Sequence, residues 1–474
     1  MVKFINRYFK LSENGTTVKT EVMAGFTTFI TMSYIIFVNP AILSLTGMDK
    51  GAVFVATIVS AVIGTLIMGL YANVPFAQAP GMGLNAFFTF TVVLALGIPW
   101  QQALAIVFIC GLVNIIITVT KIRKMLILAI PESLQYAISG GIGLFIAYIG
   151  LKNGHILNFI TEGYNIIFSN VAADGKIIEI ISKDVIPTIV NFKDPVSIVT
   201  LFGILVTIIL ILLRVNGGIL LGIILTTIFG IFLGVTQIPA ISGKDFIPPS
   251  ISPTLFKLDI VGLFSKPENI LGMLAIILSF SLSDTFDTIG TFLGTGRKSG
   301  IFDAKDENSL HDGKGISSKL EKALIADATA TSIGALLGTS NVTTYVESAA
   351  GISAGGRTGL TSVVTGLLFI LCLFFAPIAM IVPGAATAPA LVVVGILMMS
   401  GLSKIKWDEF SEAAPAFFTA VIMPFTYSIS NGVAIGFIMH VIAMLFSRNA
   451  KRVHPLMYVV TILFILNFLI SALS

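Results

Sequence analysis

Charged side chains are scarce in this sequence of 474 residues. Asp, Glu, Lys and Arg make up 11% of it, against about 25% in a typical soluble domain, while 55% of the residues are hydrophobic. So little charge excludes a water-soluble globular protein, and it implies no nucleic-acid partner. The apolar residues form successive runs long enough to cross a lipid bilayer, which predicts an all-α polytopic membrane protein.

Cysteine and histidine are almost absent as well. The two cysteines, Cys110 and Cys372, lie within apolar runs and match no metal-binding or redox spacing. The sequence also contains no HisGluXaaXaaHis zinc motif. We therefore predict no metal site and no cofactor. The first residues are a basic and mixed segment without the apolar stretch of a secretory signal, so no cleaved signal peptide is expected.

Fourteen apolar segments are candidate membrane spans, in two series of seven separated by a polar stretch. If the N-terminus is cytoplasmic, alternating these spans places most of the 28 Lys and Arg residues on the cytoplasmic side, as the positive-inside rule requires. A last apolar run at 456–473 is either an extra helix or a sign of a miscount by one. The predicted spans are 24–43, 52–71, 80–97, 101–119, 131–151, 196–214, 216–235, 268–292, 321–338, 341–355, 358–380, 383–402, 412–427 and 430–447.

The odd number of spans in each series gives the second series the opposite orientation, which is the condition for an inverted-topology repeat. Two internal matches support a 7+7 repeat. Residues 130–137, at the start of the fifth span, resemble residues 382–389, at the start of the twelfth. Residues 216–222 of the seventh span likewise resemble residues 431–436 of the fourteenth. We predict a first repeat at 1–235, a second repeat at 236–447 and a C-terminal apolar segment at 448–474.

The third and tenth spans correspond under this pairing, and both begin with sequences that form helices poorly. Residues 77–86 contain Pro80 and Gly83, which disfavour a continuous helix, while the β-branched run 342–344 favours extended backbone. Such segments are tolerated in a membrane only where they are buried or line a cavity. Interrupted segments at corresponding positions of two halves indicate a central substrate site.

Two polar stretches place carboxyl groups at membrane depth: Asp284 and Asp287 in the eighth span, and Glu347 in the tenth. Carboxylates are costly there and mark transport pathways. No basic residue lies at the same depth, so we expect a neutral or cationic solute with hydrogen-bond donors. A carboxylate can accept two parallel N–H donors, as on the edge of guanine, and aromatic rings can stack on the base. The candidate binding residues are Asn85, Asp284, Asp287, Glu347, Thr343, Thr344, Phe26 and Phe87.

The chain resembles the AzgA-like purine permeases, the hypoxanthine, guanine and adenine branch of the nucleobase cation symporter family. The resemblance covers nearly the whole chain, and its last motif is highly specific. The matching stretches are MetAlaGlyPheThrThrPheIleThrMetSerTyrIle at 23–35, AlaProGlyMetGlyLeuAsnAla at 79–86, PheAspThrIleGlyThr at 286–291 and GlyThrSerAsnValThrThrTyrValGluSerAlaAlaGlyIleSerAlaGlyGlyArgThrGlyLeu at 338–360.

This resemblance implies a core domain and a gate domain, with a short strand and a half-helix in each of the third and tenth spans. It implies that Asp284 and Glu347 hold the purine with Asn85 nearby, that Asp287 supports proton coupling and that Gly83 allows close backbone approach. It further implies import of guanine, hypoxanthine or adenine through the cell membrane by proton symport, and a homodimer.

Other interpretations stay open at this stage. Na⁺ could replace the proton, since threonine and carbonyl oxygens near Asp287 could serve as its ligands, as in a xanthine- or uracil-type transporter. Paired aspartates could also indicate an intramembrane enzyme. Asp284 and Asp287 lie three residues apart on one span, however, whereas a hydrolytic pair must face each other from different elements. A channel is disfavoured by the inverted repeat. Asp327, in the ninth span, is expected to have a structural role.

Overall fold

The computed structural model describes most of the chain as a bundle of apolar helices. The described residues are 2–120, 130–161, 165–171, 177–182, 185–238, 246–265, 270–297, 299–303, 306 and 318–473. Residues 268 and 269, which begin the predicted eighth span, lie outside them.

The helices follow the predicted spans closely. Turns of π-helix extend α4 over Met68–Ala72 and α5 over Phe87–Ala95. Up to residue 235 the helices are α1 Val2–Phe9, α2 Val18–Met32, α3 Ile35–Leu43, α4 Lys50–Ile67, α5 Met82–Ala86, α6 Trp100–Val119, α7 Glu132–Asn153, α8 Pro195–Leu212 and α9 Gly218–Phe232. After it they are α10 Ile260–Leu263, α11 Ile270–Thr291, α12 Lys319–Leu337, α13 Ser348–Ser353, α14 Gly359–Leu371, α15 Ala376–Ile381, α16 Gly384–Met398, α17 Phe410–Thr426, α18 Ile429–Phe446 and α19 Pro455–Leu473.

Among the described residues, nine helices are long and apolar enough to cross a membrane. Shorter apolar helices cover Met82–Ala95, Gly218–Phe232 and Pro455–Leu469. The protein is therefore a multi-pass membrane protein. The apolar run at 456–473 forms a helix, α19, which packs against α18 and α11.

Two short strands interrupt the third and tenth spans, as the sequence predicts. Strand β1, Gln78–Pro80, pairs antiparallel with β6, Val342–Thr344, in the register Gln78 with Thr344 and Pro80 with Val342. Bonds from Gly81 N to Asn341 O (2.9 Å) and from Tyr345 N to Ala77 O (3.0 Å) continue this pairing. The buried backbone of each broken span is thus satisfied by the other, which is how extended chain is tolerated at this depth.

A ribbon of four further strands lies between α7 and α8. Strand β2, Leu157–Thr161, pairs with β5, Val185–Ile189, and β3, Asn165–Val171, pairs with β4, Ile177–Ser182. Both pairs are antiparallel, and the β3–β4 pair lies between β2 and β5 in the sequence.

The two halves cross at equivalent positions. Helices α7 and α16 begin directly after Pro131 and Pro383, and they cross where Gly143 faces Gly395. A Cβ atom on Gly143 would lie 2.6 Å from the Gly395 carbonyl oxygen, and one on Gly395 would lie 2.5 Å from that of Gly143. Each glycine lies equally far along the chain from the proline of its helix. This reciprocal contact is what a two-fold pseudosymmetry axis requires of an inverted repeat.

The helices pack in two groups. The first, the core group, comprises α2–α6 and α11–α14, which contact one another extensively. The second, the gate group, comprises α7–α9 and α16–α18, in which α7 packs against both α16 and α17. This division confirms the predicted core and gate arrangement. The exact repeat boundaries at residues 235 and 447 stay predictions.

Candidate functional site

A small cavity of about 60 Å³ lies where the two broken spans meet the gate group. The N-terminal ends of the half-helices α5 and α13 reach it from opposite sides of the β1–β6 pair. Because Val394 and Met398 of α16 close it, the cavity lies at the boundary between the two groups. Its lining consists of Tyr34, Gly81, Met82, Gly83, Asp287, Thr291, Thr343, Thr344, Tyr345, Val346, Glu347, Val394 and Met398.

Glu347 reaches this cavity from the residue directly before α13. Its Oε1 accepts a hydrogen bond of 2.7 Å from the hydroxyl of Tyr34, which lies between α2 and α3. Within the described part of the chain, no other side chain donates to this carboxylate. The neighbouring Tyr345 hydroxyl donates to the carbonyl oxygen of Pro80 at 2.6 Å, which fixes the tenth span against the third.

Asp287 reaches the same cavity from α11. Its side chain makes no hydrogen bond or ion pair with any other described residue, so its oxygens are available to a ligand. No described residue of the lining carries a positive charge. The cavity therefore presents two carboxyl groups, of Asp287 and Glu347, without a counter-charge from the protein.

The two threonines of β6 line the cavity and also anchor the strand. The Thr343 and Thr288 hydroxyls lie 2.9 Å apart, and the Thr344 hydroxyl donates to Asp327 Oδ1 at 2.7 Å. Asp327 also accepts from Thr288 at 2.9 Å and from the Gln78 amide at 3.1 Å. This buried carboxylate of α12 thus holds both strands, which agrees with the structural role expected for it.

Gly83 brings α5 into close contact with the gate group. A Cβ atom there would lie 2.5 Å from Cγ2 of Ile142 on α7. A larger residue there would force α5 or the Ile142 side chain to shift, so glycine permits this close packing at the cavity wall.

Four of the predicted binding residues do not line the cavity. Asp284 is fully buried on the face of α11 that points to α6, where its Oδ2 accepts a bond of 2.9 Å from the Asn114 amide. Asn85 is also fully buried and accepts a bond from the Ser340 hydroxyl. Both belong to polar contacts inside the core group.

The other two are the phenylalanines. Phe87 is buried and stacks on Phe280 of α11, with ring centroids 4.2 Å apart and an interplanar angle of 20°. Phe26 on α2 is 46% exposed. Neither ring faces the cavity.

Sequence reasoning missed the two tyrosines, Tyr34 and Tyr345. Tyr34 is the penultimate residue of the motif at 23–35, and Tyr345 precedes Glu347 by two residues. Their presence in those motifs was the only available signal, because the residue type alone does not separate a cavity tyrosine from a packed one.

Comparison with known proteins places the chain among permeases. The model of the permease family, Xan_ur_permease, matches residues 19–173 and 187–435. The guanine/hypoxanthine permease PbuG of Bacillus subtilis (strain 168) is 41% identical over 474 residues, with 98% of this chain and 99% of that protein covered. The adenine permease AdeP of Escherichia coli (strain K12) is 40% identical over 463 residues, with 98% and 95% covered.

Solved structures share the fold. The transmembrane domain of the cyanobacterium bicarbonate transporter BicA has a TM-score of 0.59 and 15% identity, over 88% of this chain and 97% of that one. The likeness confirms the predicted architecture of a 7+7 inverted repeat. At this identity it concerns the fold alone.

Proposed function

Because this chain belongs to the permease family, as do the relatives PbuG and AdeP, we propose that it imports purine nucleobases through the cell membrane by proton symport. Guanine and hypoxanthine are the proposed substrates, with adenine as a further one. The relatives are permeases, so the family match removes the enzyme alternative.

One observation carries the proposal: Asp287 and Glu347 line a single cavity without any basic side chain among its described residues. A carboxylate accepts hydrogen bonds but does not donate them, and charge-assisted N–H···O⁻ bonds are the stronger kind. The N1–H of guanine and hypoxanthine and the exocyclic amine of guanine or adenine are suitable donors. An anionic solute would instead meet two negative groups at close range.

The resemblance implies that Asp284 contacts the base and that Asp287 supports proton coupling. The placement of the two aspartates supports the opposite assignment of these roles. Asp287 lies in the cavity, so we propose that it contacts the base together with Glu347. Asp284 lies inside the core group, where its Oδ1 has no hydrogen-bond partner among the described residues. We propose that this carboxyl group takes up and releases the coupled proton.

The position of the cavity between the core group and the gate group supports alternating access. If one group moves as a rigid body against the other, the cavity opens first to one side of the membrane and then to the other. One proton that moves inward through 100 mV supplies about 2.3 kcal/mol, or roughly a 50-fold concentration ratio.

The test is uptake of radiolabelled hypoxanthine, guanine and adenine into proteoliposomes under an inward proton gradient. We expect accumulation in the wild type and its loss on addition of a protonophore. Asp287→Asn and Glu347→Gln should abolish uptake, because they remove purine binding in this cavity. Asp284→Asn should keep binding and exchange but lose accumulation. Asp408→Asn is the matched control, because Asp408 is exposed in the loop before α17.

The Na⁺ alternative is decided in the same experiment. Accumulation driven by an inward Na⁺ gradient, and insensitive to the protonophore, would overturn proton coupling while leaving nucleobase transport intact. If Asp284→Asn leaves accumulation unchanged, Asp284 is not the proton carrier.

A further inference from the structure

A second and much larger cavity, of about 790 Å³, lies between the core group and the gate group at the far end of the third span. It is bounded by the end of the π-helical extension of α5, the beginnings of α6, α11 and α18, and one face of α19. We call this cavity the vestibule and define it by Thr91, Gln102, Ile276, Ser428, Asn431 and Asn467. With the N-terminus cytoplasmic, as the sequence predicts, the vestibule lies on the outer side.

We call the small cavity that is lined by Asp287 and Glu347 the carboxylate cavity. The vestibule and the carboxylate cavity lie on the same two helical segments. Thr91 follows Gly83 by eight residues, or about 12 Å of helix, and Ile276 precedes Asp287 by about three turns. The stacked pair Phe87 and Phe280 lies between these positions on both segments, and both rings are fully buried. On each segment, one ring of this pair thus lies between a residue that lines the large cavity and one that lines the small cavity.

The chemistry of the vestibule suits an uncharged polar solute. None of its described lining residues is ionisable. Asn431 on α18 and Asn467 on α19 are only partly buried, and neither side-chain amide makes a hydrogen bond with another described residue. An amide both donates and accepts, so two unpaired amides can match either edge of a purine without discriminating strongly between bases. Phe464 and Phe468 of α19 add apolar surface for a flat ring.

We propose that the vestibule is a second nucleobase-binding subsite, weaker and less selective than the carboxylate cavity, and that α19 contributes to it through Asn467. The inference rests on the proposed function. It gives α19, which lies outside the fourteen paired spans, a direct part in capturing substrate before the Phe87–Phe280 pair opens.

The first test is chemical labelling of Asn467→Cys by a membrane-impermeant thiosulfonate reagent, with and without saturating hypoxanthine. The native cysteines, Cys110 and Cys372, are both buried, so the wild type serves as the unlabelled reference. We expect labelling from the outer side and protection by the purine. Protection should persist in the Glu347→Gln background, and in the Asp287→Asn background if the first variant does not fold.

The outcomes separate the two proposals. Labelling without protection, or protection that disappears with Glu347→Gln and Asp287→Asn, would overturn the subsite, because only the carboxylate cavity would then bind purine. Absence of labelling would overturn it as well. Failure of the wild type to transport any nucleobase would contradict the proposed function, and that is measured separately by uptake.

The second test is the concentration dependence of initial uptake rates. Asn467→Leu removes the amide at similar volume and should raise KM about three- to tenfold with little change in kcat, as expected for one lost neutral hydrogen bond. Thr461→Val is the control on the same helix, because Thr461 is buried and does not line the vestibule. An unchanged KM for Asn467→Leu, or an equal rise for Thr461→Val, would overturn the subsite.

Discussion

At the scale of single residues, the carboxylate cavity depends on how Glu347 is held. Its only side-chain donor among the described residues is the Tyr34 hydroxyl, at 2.7 Å. Tyr34 and Glu347 are far apart in sequence, and they meet because the first span packs against the tenth. The bond therefore orients the carboxylate and links it to the position of the first span.

Tyr34→Phe tests this link. The substitution keeps the ring and removes the donor, so we expect the purine dissociation constant to rise roughly 5- to 30-fold, or about 1–2 kcal/mol. Equilibrium binding of radiolabelled guanine to purified protein measures it. Tyr71→Phe, at a tyrosine that is 46% exposed, is the control and should bind like the wild type. Wild-type affinity in Tyr34→Phe would mean that the hydroxyl does not orient Glu347.

The carboxyl groups illustrate how far residue-scale prediction reaches. Hydropathy and charge alone indicated Asp284, Asp287 and Glu347, because any carboxylate at membrane depth stands out. They could not indicate which aspartate faces the cavity. Residues three apart on a helix differ by about 60° in direction, so the choice depends on the rotation of α11 against its neighbours. That rotation follows from packing, which sequence patterns do not specify.

The buried carboxylate of Glu21 has a structural role. Glu21 on α2 is fully buried and accepts hydrogen bonds from the backbone N–H groups of Arg357, Thr358 and Thr361 and from the Thr361 hydroxyl. Arg357 and Thr358 lie in the turn between α13 and α14, and Thr361 lies in the first turn of α14. The carboxylate thus replaces the hydrogen bonds that this turn cannot make within itself.

Glu21→Ala should destabilise the protein by about 3 kcal/mol, because it leaves several buried donors unpaired. The expected result is a clearly lower melting temperature of the purified protein. Glu13→Ala is the control, since the Glu13 side chain is 69% exposed, and it should melt like the wild type. Equal melting temperatures for both variants would show that the turn is stable without Glu21.

At the scale of elements, the broken spans were the most predictable feature. Pro80 and Gly83 disfavour helix, and the β-branched residues 342–344 favour strand, so the interruption could be predicted from residue types. The repeat register also predicted that α7 and α16 are equivalent. It did not predict that Gly143 and Gly395 touch, because a close helix crossing depends on the tilt of both helices.

This crossing gives a prediction with an internal control. Gly143→Ala would place its Cβ 2.6 Å from the Gly395 carbonyl oxygen, so we expect a loss of about 1–3 kcal/mol of stability and slower transport. Gly384→Ala, on the same helix as Gly395, meets no heavy atom within 4 Å and should be neutral. Melting temperature and initial uptake rate measure both. A neutral Gly143→Ala would contradict a tight crossing of the two repeats.

At the scale of the whole molecule, function follows from the boundary between the core group and the gate group. The carboxylates of Asp287 and Glu347 belong to the core group, while Val394 and Met398 of the gate group close their cavity. Hydropathy predicted the spans and their inverted order but not this boundary, since every span is apolar whichever group it joins. The positions of the Phe26 and Phe87 rings could not be predicted for the same reason: exposure and stacking depend on neighbours that are distant in sequence.

The most direct test of the central claim, that Asp287 and Glu347 form a purine carrier site, is counterflow. Proteoliposomes preloaded with unlabelled hypoxanthine are diluted into labelled hypoxanthine without any ion gradient, so the result does not depend on the coupling ion. We predict transient accumulation of label with the wild type and with Asp408→Asn, and none with Glu347→Gln or Asp287→Asn. Undiminished counterflow in those two variants would contradict the account.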